Sequence, residues 1–357
     1  MNESGLGDSG IFREWDPGQD SQWDDFANNH PHGTVYHHSA WSHAISQTFG
    51  YEPLYLGLLS SDGHRLAGIL PFLFINGVIS RKRLVSLPFA SYCQPLIPQS
   101  RMDEAIRFAF KRFRRLDYVE LKFLKAKNEM EGAPRLAVES PFVTQILSLA
   151  GDLEEIFFAF HSTSIRQRVR RAENEGLIFR AMAGESNLRR FFQLLAEFRR
   201  EHGLPIQPYK FFANMQRFLA PKNLFELNVV ELKGEIIAAA IVLKGKSTWH
   251  LEYSVSDSCF LKHGPNQFLI WECIKRAHKE KANFFDFGRT SVWHHSLLEF
   301  KDRWHTQRHP IYYRFFPAGT KPPQWKDHSS RYMLKLNKKL PLRFLEWEGR
   351  IIFPHRG

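Results

Sequence analysis

The residues with the most chemistry to offer lie between Trp249 and Trp304: Tyr253, Asp286, Arg289 and Lys301, with a Gly264-Pro265-Asn266 turn among them. An ammonium at Lys301, held in a dry site, would stabilise negative charge developing on a reacting oxygen. Tyr253 would donate or relay a proton to a leaving group. Asp286 would orient Lys301 or Arg289, or accept a proton from an incoming ammonium. Arg289, with Arg166 and Arg168 upstream, suits a phosphate, because a planar guanidinium grips two phosphate oxygens at once. Asn266 stands where a helix would start, and helix N-termini attract anions. Each residue has a structural alternative: an exposed lysine, a packed strand tyrosine, a carboxylate satisfied by strand-end amides, a solvated arginine face. In the basic helix Arg166 and Arg170 share one side, so its arginines cannot all reach one ligand.

The elements that must position these groups follow each other closely. Trp249–Val255 reads as a strand, Asn266–Lys279 as an amphipathic helix and Phe284–Phe287 as a second strand. A strand, turn, helix, strand unit of this kind brings polar groups to a strand end beside a helix start, where open α/β sheets bind anions. Upstream, Ser39–Phe49 reads as a helix, Pro53–Leu59 and Arg65–Ile75 as a hairpin, Arg83–Leu87 as a strand, Asp103–Leu116 as a helix and Tyr118–Phe123 as a strand. A similar order recurs after residue 160: basic helix Ser164–Glu175, strand Gly176–Ala181, helices Ser186–His202 and Lys210–Phe218, then strands Phe225–Leu232 and Glu235–Leu243. The expected fold class is therefore α/β (α+β): two tandem copies of one unit, each a mixed, largely antiparallel sheet flanked by helices, with the joint near 150–162. The expected organisation is a polar lead-in at 1–25, a first domain at 26–155, a second with the reactive cleft at 156–320, and a basic amphipathic tail at 321–357.

Composition narrows the function classes. With 43% hydrophobic and 24% charged residues over 357 positions, the chain has the make-up of a folded protein large enough for two domains. Its longest apolar runs, Leu66–Ile75 and Ile236–Leu243, fall short of the ~20 residues that cross a bilayer. The first ten residues lack a basic-then-apolar signal pattern. Cys93, Cys259 and Cys273 are scattered, which fits a reducing cytoplasm and argues against a disulfide framework or a cysteine zinc site. The histidine pairs His37-His38 and His294-His295 have no carboxylate at a ligand spacing, so no metal is expected. Thr290 and Ser291 lie in no nucleophile elbow. A net charge of +12, concentrated in Lys111–Arg115, Arg166–Arg171 and the last third, points to an anionic partner: a phosphorylated or lipid-linked molecule, a nucleic acid or an acidic membrane. The tail interleaves Met333, Leu334, Leu336, Leu340, Leu342, Phe344, Leu345 and Trp347 with Lys335, Lys338, Lys339, Arg343 and Arg350. It would either lie on such a membrane or pack back on the body.

Several blocks, taken in order, resemble the Fem-type aminoacyltransferases and their exopolysaccharide-associated relatives in the GNAT superfamily. They are Tyr36-His37-His38-Ser39-Ala40-Trp41, Leu70-Pro71-Phe72, Leu84–Phe89, the basic helix ending Glu175-Gly176, Leu251-Glu252-Tyr253, Gly264-Pro265-Asn266, Asp286–Arg289, and Glu299-Phe300-Lys301 with Trp304. The resemblance implies two GNAT-like domains and transfer of an activated aminoacyl or acyl group to an amine of a cell-envelope or related precursor, without a covalent enzyme intermediate. It implies Lys301, Tyr253 and Asp286 in catalysis, with Arg166, Arg168, Arg289, Asn266 and Trp41 binding substrate. It further implies no tightly bound cofactor but an acyl donor as co-substrate, aminoacyl-tRNA or an acyl thioester, with tRNA or an acyl carrier as partner. The chain departs from the family in two ways. The helical arm of several Fem proteins has no room here, and the glycine-rich pyrophosphate loop of coenzyme A-dependent enzymes is absent from both halves, with Lys262-His263-Gly264-Pro265-Asn266 its nearest substitute. A thioester-dependent N-acyltransferase and a non-catalytic binder of membrane or nucleic acid stand as alternatives. A cytoplasmic place, extending to the inner membrane face, is expected; the oligomeric state is open.

Overall fold

The computed structural model describes residues 10–76, 81–113, 115–124, 137–321 and 336–356. Arg114 of the first basic run and Met333, Leu334 and Lys335 of the tail lie outside them. The chain divides into two compact units, one of residues 1–143, 309–325 and 354–357, the other of 144–308 and 326–353.

The first unit contains strands β1 (Phe12–Glu14), β2 (Glu52–Leu59), β3 (Leu66–Ile75), β4 (Arg83–Val85) and β5 (Tyr118–Leu124) in that spatial order. Helices α1 (Gln22–Asn29) and α2 (Ser39–Phe49) lie between β1 and β2 in the chain, and α3 (Met102–Arg112) between β4 and β5. Neighbours pair antiparallel except β4 with β5, which are parallel and therefore joined through a helix. Alternation sorts the core. Leu54, Leu56 and Leu58 of β2 belong to one cluster with Ile106 and Ala109 of α3. The intervening Tyr55 meets Trp23 of α1, ring centroids 5.0 Å apart. β1 falls within the stretch read as a polar lead-in; Arg13 nevertheless registers with Gly57, so the sheet starts there. The helix expected to run to Leu116 ends at Arg112.

The second unit repeats the scheme. Strands β7 (Ile178–Met182), β8 (Phe225–Leu232), β9 (Glu235–Lys244), β10 (Thr248–Ser256) and β11 (Phe284–Ser291) lie in that order, again antiparallel until the last pair, β10 with β11, which is parallel. Helices α6 (Glu185–His202) and α7 (Tyr209–Leu219) separate β7 from β8, and α8 (Pro265–Lys279) separates β10 from β11. The shared order and sense of the strands make the repeat one of topology. The end of β6 (Ala137–Ser148) lies beside β11 in this unit, and β12 (Gln307–Phe316) beside β5 in the first. The fold is thus mixed α/β, with largely antiparallel sheets flanked by helices.

One face of the second sheet packs Ala238, Ala240, Val242, Trp249, Phe285 and Phe287 against Phe268, Trp271 and Ile274 of α8 and Val169 of α5 (Gln167–Asn174). The alternate residues Ala239, Ile241 and Leu243 are just as buried, and α6 and α7 pack on these strands. After the short helix α4 (Leu153–Ala159), the basic helix begins as a π-turn over Ser162–Arg166 before becoming α5.

Candidate active site

β10 and β11 pair in parallel only over Thr248–His250 against Phe284–Asp286, although both strands run on to Ser256 and Ser291. The cause lies on the other edge of β10. Leu251 registers with Val242 and Tyr253 with Ile241, so Glu252 is an extra residue and the strand carries a β-bulge there. A bulge bends and twists its strand, and from there on β10 and β11 no longer pair.

The bulge also resets the alternation of side chains. His250 registers with Leu243 and Tyr253 with Ile241, and cross-strand partners share a face. Without the extra residue Tyr253 would point away from His250. With it, both lie on the face that Asp286 shares as the registered partner of His250. The next residues of β11 on that face are Gly288 and Thr290, whereas Arg289 turns to the opposite side and is exposed.

Asp286 is fully buried, with His250 beside it at 1% exposure. One carboxylate oxygen accepts from the Thr144 hydroxyl of β6 and, at 2.7 Å, from the Gly288 amide. The other lies 3.3 Å from His250 Nδ1. Burial works to raise the pKa of Asp286, but His250, Thr144 and the Gly288 amide outweigh it and hold the carboxyl below its ordinary value. The aspartate is therefore an anion that fixes the backbone around Gly288.

Lys301 stands in the last turn of α9 (His295–Asp302), 7% exposed. Its ammonium donates to the Gly288 carbonyl at 2.7 Å and to Thr290 Oγ1 at 2.8 Å. Burial lowers its pKa to about 8, against the smaller, opposing pull of Asp286. Asp286 and Lys301 thus grip the two sides of one peptide segment, the carboxylate through the Gly288 amide and the ammonium through the Gly288 carbonyl. The helix carrying Lys301 is tied down by Gln145 of β6, whose amide donates to Leu298 O at 3.1 Å and to Asp302 Oδ1 at 2.9 Å. Trp304, two residues past the end of α9, is fully buried and packs edge-on against Phe160.

Tyr253 sits between α6 and α7, its ring edge-on to Phe212 at 5.1 Å and its hydroxyl accepting from Gln207 at 3.2 Å. Burial, reinforced by neighbouring Glu252, pushes its pKa well above the ordinary phenol value, so it remains a proton donor across the physiological range.

The remaining sequence-derived residues divide among three places. Asn266 lies in the first turn of α8, half-buried, next to Gly264, whose φ of +73° begins the helix. A side chain at Gly264 would place its Cβ 2.6 Å from the Arg168 carbonyl, so the turn needs glycine for space as well as for conformation. Arg168 donates to Leu261 O and Arg171 to Lys262 O, each at 3.3 Å, pinning the 3-10 turn Ser258–His263 that leads into α8. Arg166 goes elsewhere: its guanidinium lies over the Phe158 ring, 5.4 Å from the centroid. Trp41 is in the first unit, fully buried and edge-on to Tyr36, with no surface left for a ligand. Its bulk completes a core there.

Thr144, His250, Gln145 and Gln207 were not foreseen as site residues. A signal existed for three of them: Thr144-Gln145 and His250 are polar residues embedded in apolar strand segments, where a buried polar group must find partners. No group of three or more metal-ligating side chains occurs among the described residues.

A family model described as an acetyltransferase (GNAT) domain matches residues 159–302, the segment that holds α5 through α9. Among solved structures the chain is similar to FemX, at 14% identity and a TM-score of 0.68 over 85% of this chain and 96% of that one. It is also similar to L-PGS from Bacillus licheniformis (12%, TM-score 0.56, 91% and 97%) and to a tandem GNAT protein from the clavulanic acid biosynthesis pathway (12%, TM-score 0.53, 88% and 100%). At such identities the likeness is one of fold. A sequence comparison with characterised proteins gave no significant match.

Proposed function

We propose that this chain is a Fem-like GNAT acyltransferase that moves an activated aminoacyl or acyl group onto an amine of a cell-envelope or related precursor. The observation that carries this reading is Lys301: a buried cation, fixed by two oxygens of β11, on the face of the sheet where β10 and β11 part. An extended acyl donor lying where the two strands part would bring its carbonyl to the strand ends, where backbone amides and the Lys301 ammonium stabilise the oxyanion. The acceptor nitrogen attacks as the free amine; the new C–N bond forms, the bond to the donor's oxygen or sulfur breaks, and the amine's proton passes to the leaving group. Tyr253, kept protonated by its burial, is the proposed relay: its hydroxyl proton goes to the leaving group and the proton released by the amine restores the phenol. Asp286 acts through Gly288 as a positioning residue.

Arg168, Asn266 and the amides that open α8 form the proposed site for a donor phosphate, since the helix dipole and the guanidinium act in the same sense. Arg289, exposed on the other face of β11, is the proposed contact for a phosphorylated or lipid-linked acceptor. Two donors fit. An aminoacyl-tRNA is favoured by the likeness in fold to FemX. An acyl thioester is favoured by the GNAT model over 159–302.

The test is to incubate the purified protein with amine-bearing envelope precursors and either a charged tRNA pool or coenzyme A thioesters, and to read products by mass spectrometry. Transfer from charged tRNA, lost in a folded Lys301→Ala variant, is the expected result. Transfer from thioesters alone would replace the donor and keep the chemistry. Transfer from neither would overturn the reading.

A further inference from the structure

The last helix, α10 (Leu342–Arg356), is held to the second unit by one side. Leu345 is fully buried, its carbonyl accepts from the Ile206 amide, and a Cβ on Gly349 would fall 1.7 Å from the Ile206 carbonyl. Just before it, the Asn337 amide donates to Gly203 O at 3.2 Å and to Glu348 at 3.1 Å. These contacts fix the rotation of the helix. At 3.6 residues per turn, Arg350, Arg343, Trp347, Ile351 and Phe344 then occupy one continuous arc of about 120°, and all five are exposed.

Phe344 is 43% exposed, Trp347 56% and Ile351 43%, with the Phe344 and Trp347 rings 5.5 Å apart. Exposed Lys338 and Lys339 precede this arc. Its two edges carry Glu346 and Glu348, both half-buried and the second engaged by Asn337. The exposed arc is thus apolar and cationic, with its carboxylates set aside.

From this face we infer that α10 docks the protein on an anionic lipid surface. Phe344, Trp347 and Ile351 would enter the headgroup boundary while Arg343, Arg350, Lys338 and Lys339 contact lipid phosphates. A protein partner is the poorer fit, because lysines, which protein interfaces are depleted of, stand beside the apolar side chains at Lys338 and Lys339, and no fully exposed carboxylate lies on the arc. The inference does not depend on the identity of the donor or on the proposed reaction.

The full chain should sediment with vesicles of phosphatidylcholine containing phosphatidylglycerol and remain in solution with phosphatidylcholine alone. Added salt should weaken the binding. The double variant Arg343→Glu/Arg350→Glu should lower affinity for the anionic vesicles by roughly tenfold or more, and Phe344→Ser/Trp347→Ser should abolish sedimentation. Because these side chains are exposed, circular dichroism and thermal midpoints should match the parent. Failure to bind anionic vesicles would overturn the inference, as would binding that both variants leave unchanged. Self-association of the parent, lost in Phe344→Ser/Trp347→Ser without any lipid binding, would assign the face to a second copy and also overturn it.

Discussion

Lys301 enters the fold at an electrostatic cost that can be measured apart from catalysis. Its pKa of about 8 in place of the ordinary 10.5 corresponds to roughly 3 kcal/mol of destabilisation at neutral pH. The sign follows from proton linkage. Below pH 8 folded and unfolded chains both hold the proton, and the penalty is present in full. Between pH 8 and 10.5 the unfolded chain binds more protons than the folded one, so stability rises with pH until the penalty is gone. Lys301→Met removes the charge but leaves the Gly288 carbonyl and Thr290 hydroxyl without their donor, at a cost of about 1–3 kcal/mol. The two effects nearly offset each other at pH 7, so a single comparison there would reveal little. The discriminating quantity is the stability of the parent minus that of Lys301→Met, from denaturant unfolding at several pH values from 7 to 10.5. Tyrosines and cysteines that titrate in the same range cancel in this difference. It should rise by roughly 3 kcal/mol in favour of the parent across the window. A difference that stays constant within ~0.5 kcal/mol would refute the claim that a desolvated ammonium sits beside Gly288.

Other perturbations test the neighbouring parts. Asp286→Asn should destabilise the protein by roughly 2–4 kcal/mol in thermal or denaturant unfolding and depress transfer, because it disturbs the hydrogen bonds to Thr144 and the Gly288 amide. As the folded pKa of Asp286 lies below its ordinary value, its stabilising contribution is present above that ordinary value and lost as pH falls through the folded one; the acid limb of the parent's stability profile should flatten in the variant. Gln145→Ala should release α9 at a cost of about 1–3 kcal/mol and lower kcat more than it raises KM; equal effects on both would argue against a positioning role. Gly264→Ala should cost about 2 kcal/mol or more, since φ is +73° and a carbonyl lies 2.6 Å from the new Cβ, and it should weaken donor binding in isothermal titration. Leu345→Ala, fully buried, should cost about 2–5 kcal/mol, whereas Trp347→Ser on the same helix should leave the thermal midpoint unchanged.

Much of the fold was legible because it is written in short-range patterns. Ser39–Phe49 is a helix at the expected bounds, β2 and β3 form the expected hairpin, and β10, α8 and β11 follow in the expected order. Periodicities of two and of 3.6 residues report directly on which side of an element must leave water. The tail was legible in part: a packed helix and a basic apolar exterior were posed as alternatives, yet on α10 Leu345 is buried while Trp347 is exposed. β1 was missed because three residues are too few to show a pattern.

The candidate site divides along a different line. Sequence alone picked out Lys301, Asp286 and Tyr253 as a group. It could not supply Thr144, which meets Asp286 across 142 residues of chain, since two polar residues so far apart carry no local mark of their contact. Nor could it place Tyr253. Strand alternation counted along the chain sets Tyr253 opposite His250; the extra residue at Glu252 brings the two onto one face and parts β10 from β11. A bulge is a property of how two strands register, and register is settled by the pairing of both faces at once. Trp41 and Arg289 show the same limit, one absorbed into a core and the other turned to the far side of its strand. Local patterning thus determined the elements and the type of chemistry available, while the register of β9 on β10 and the burial of Lys301 between α9 and β11 decided which of those residues meet.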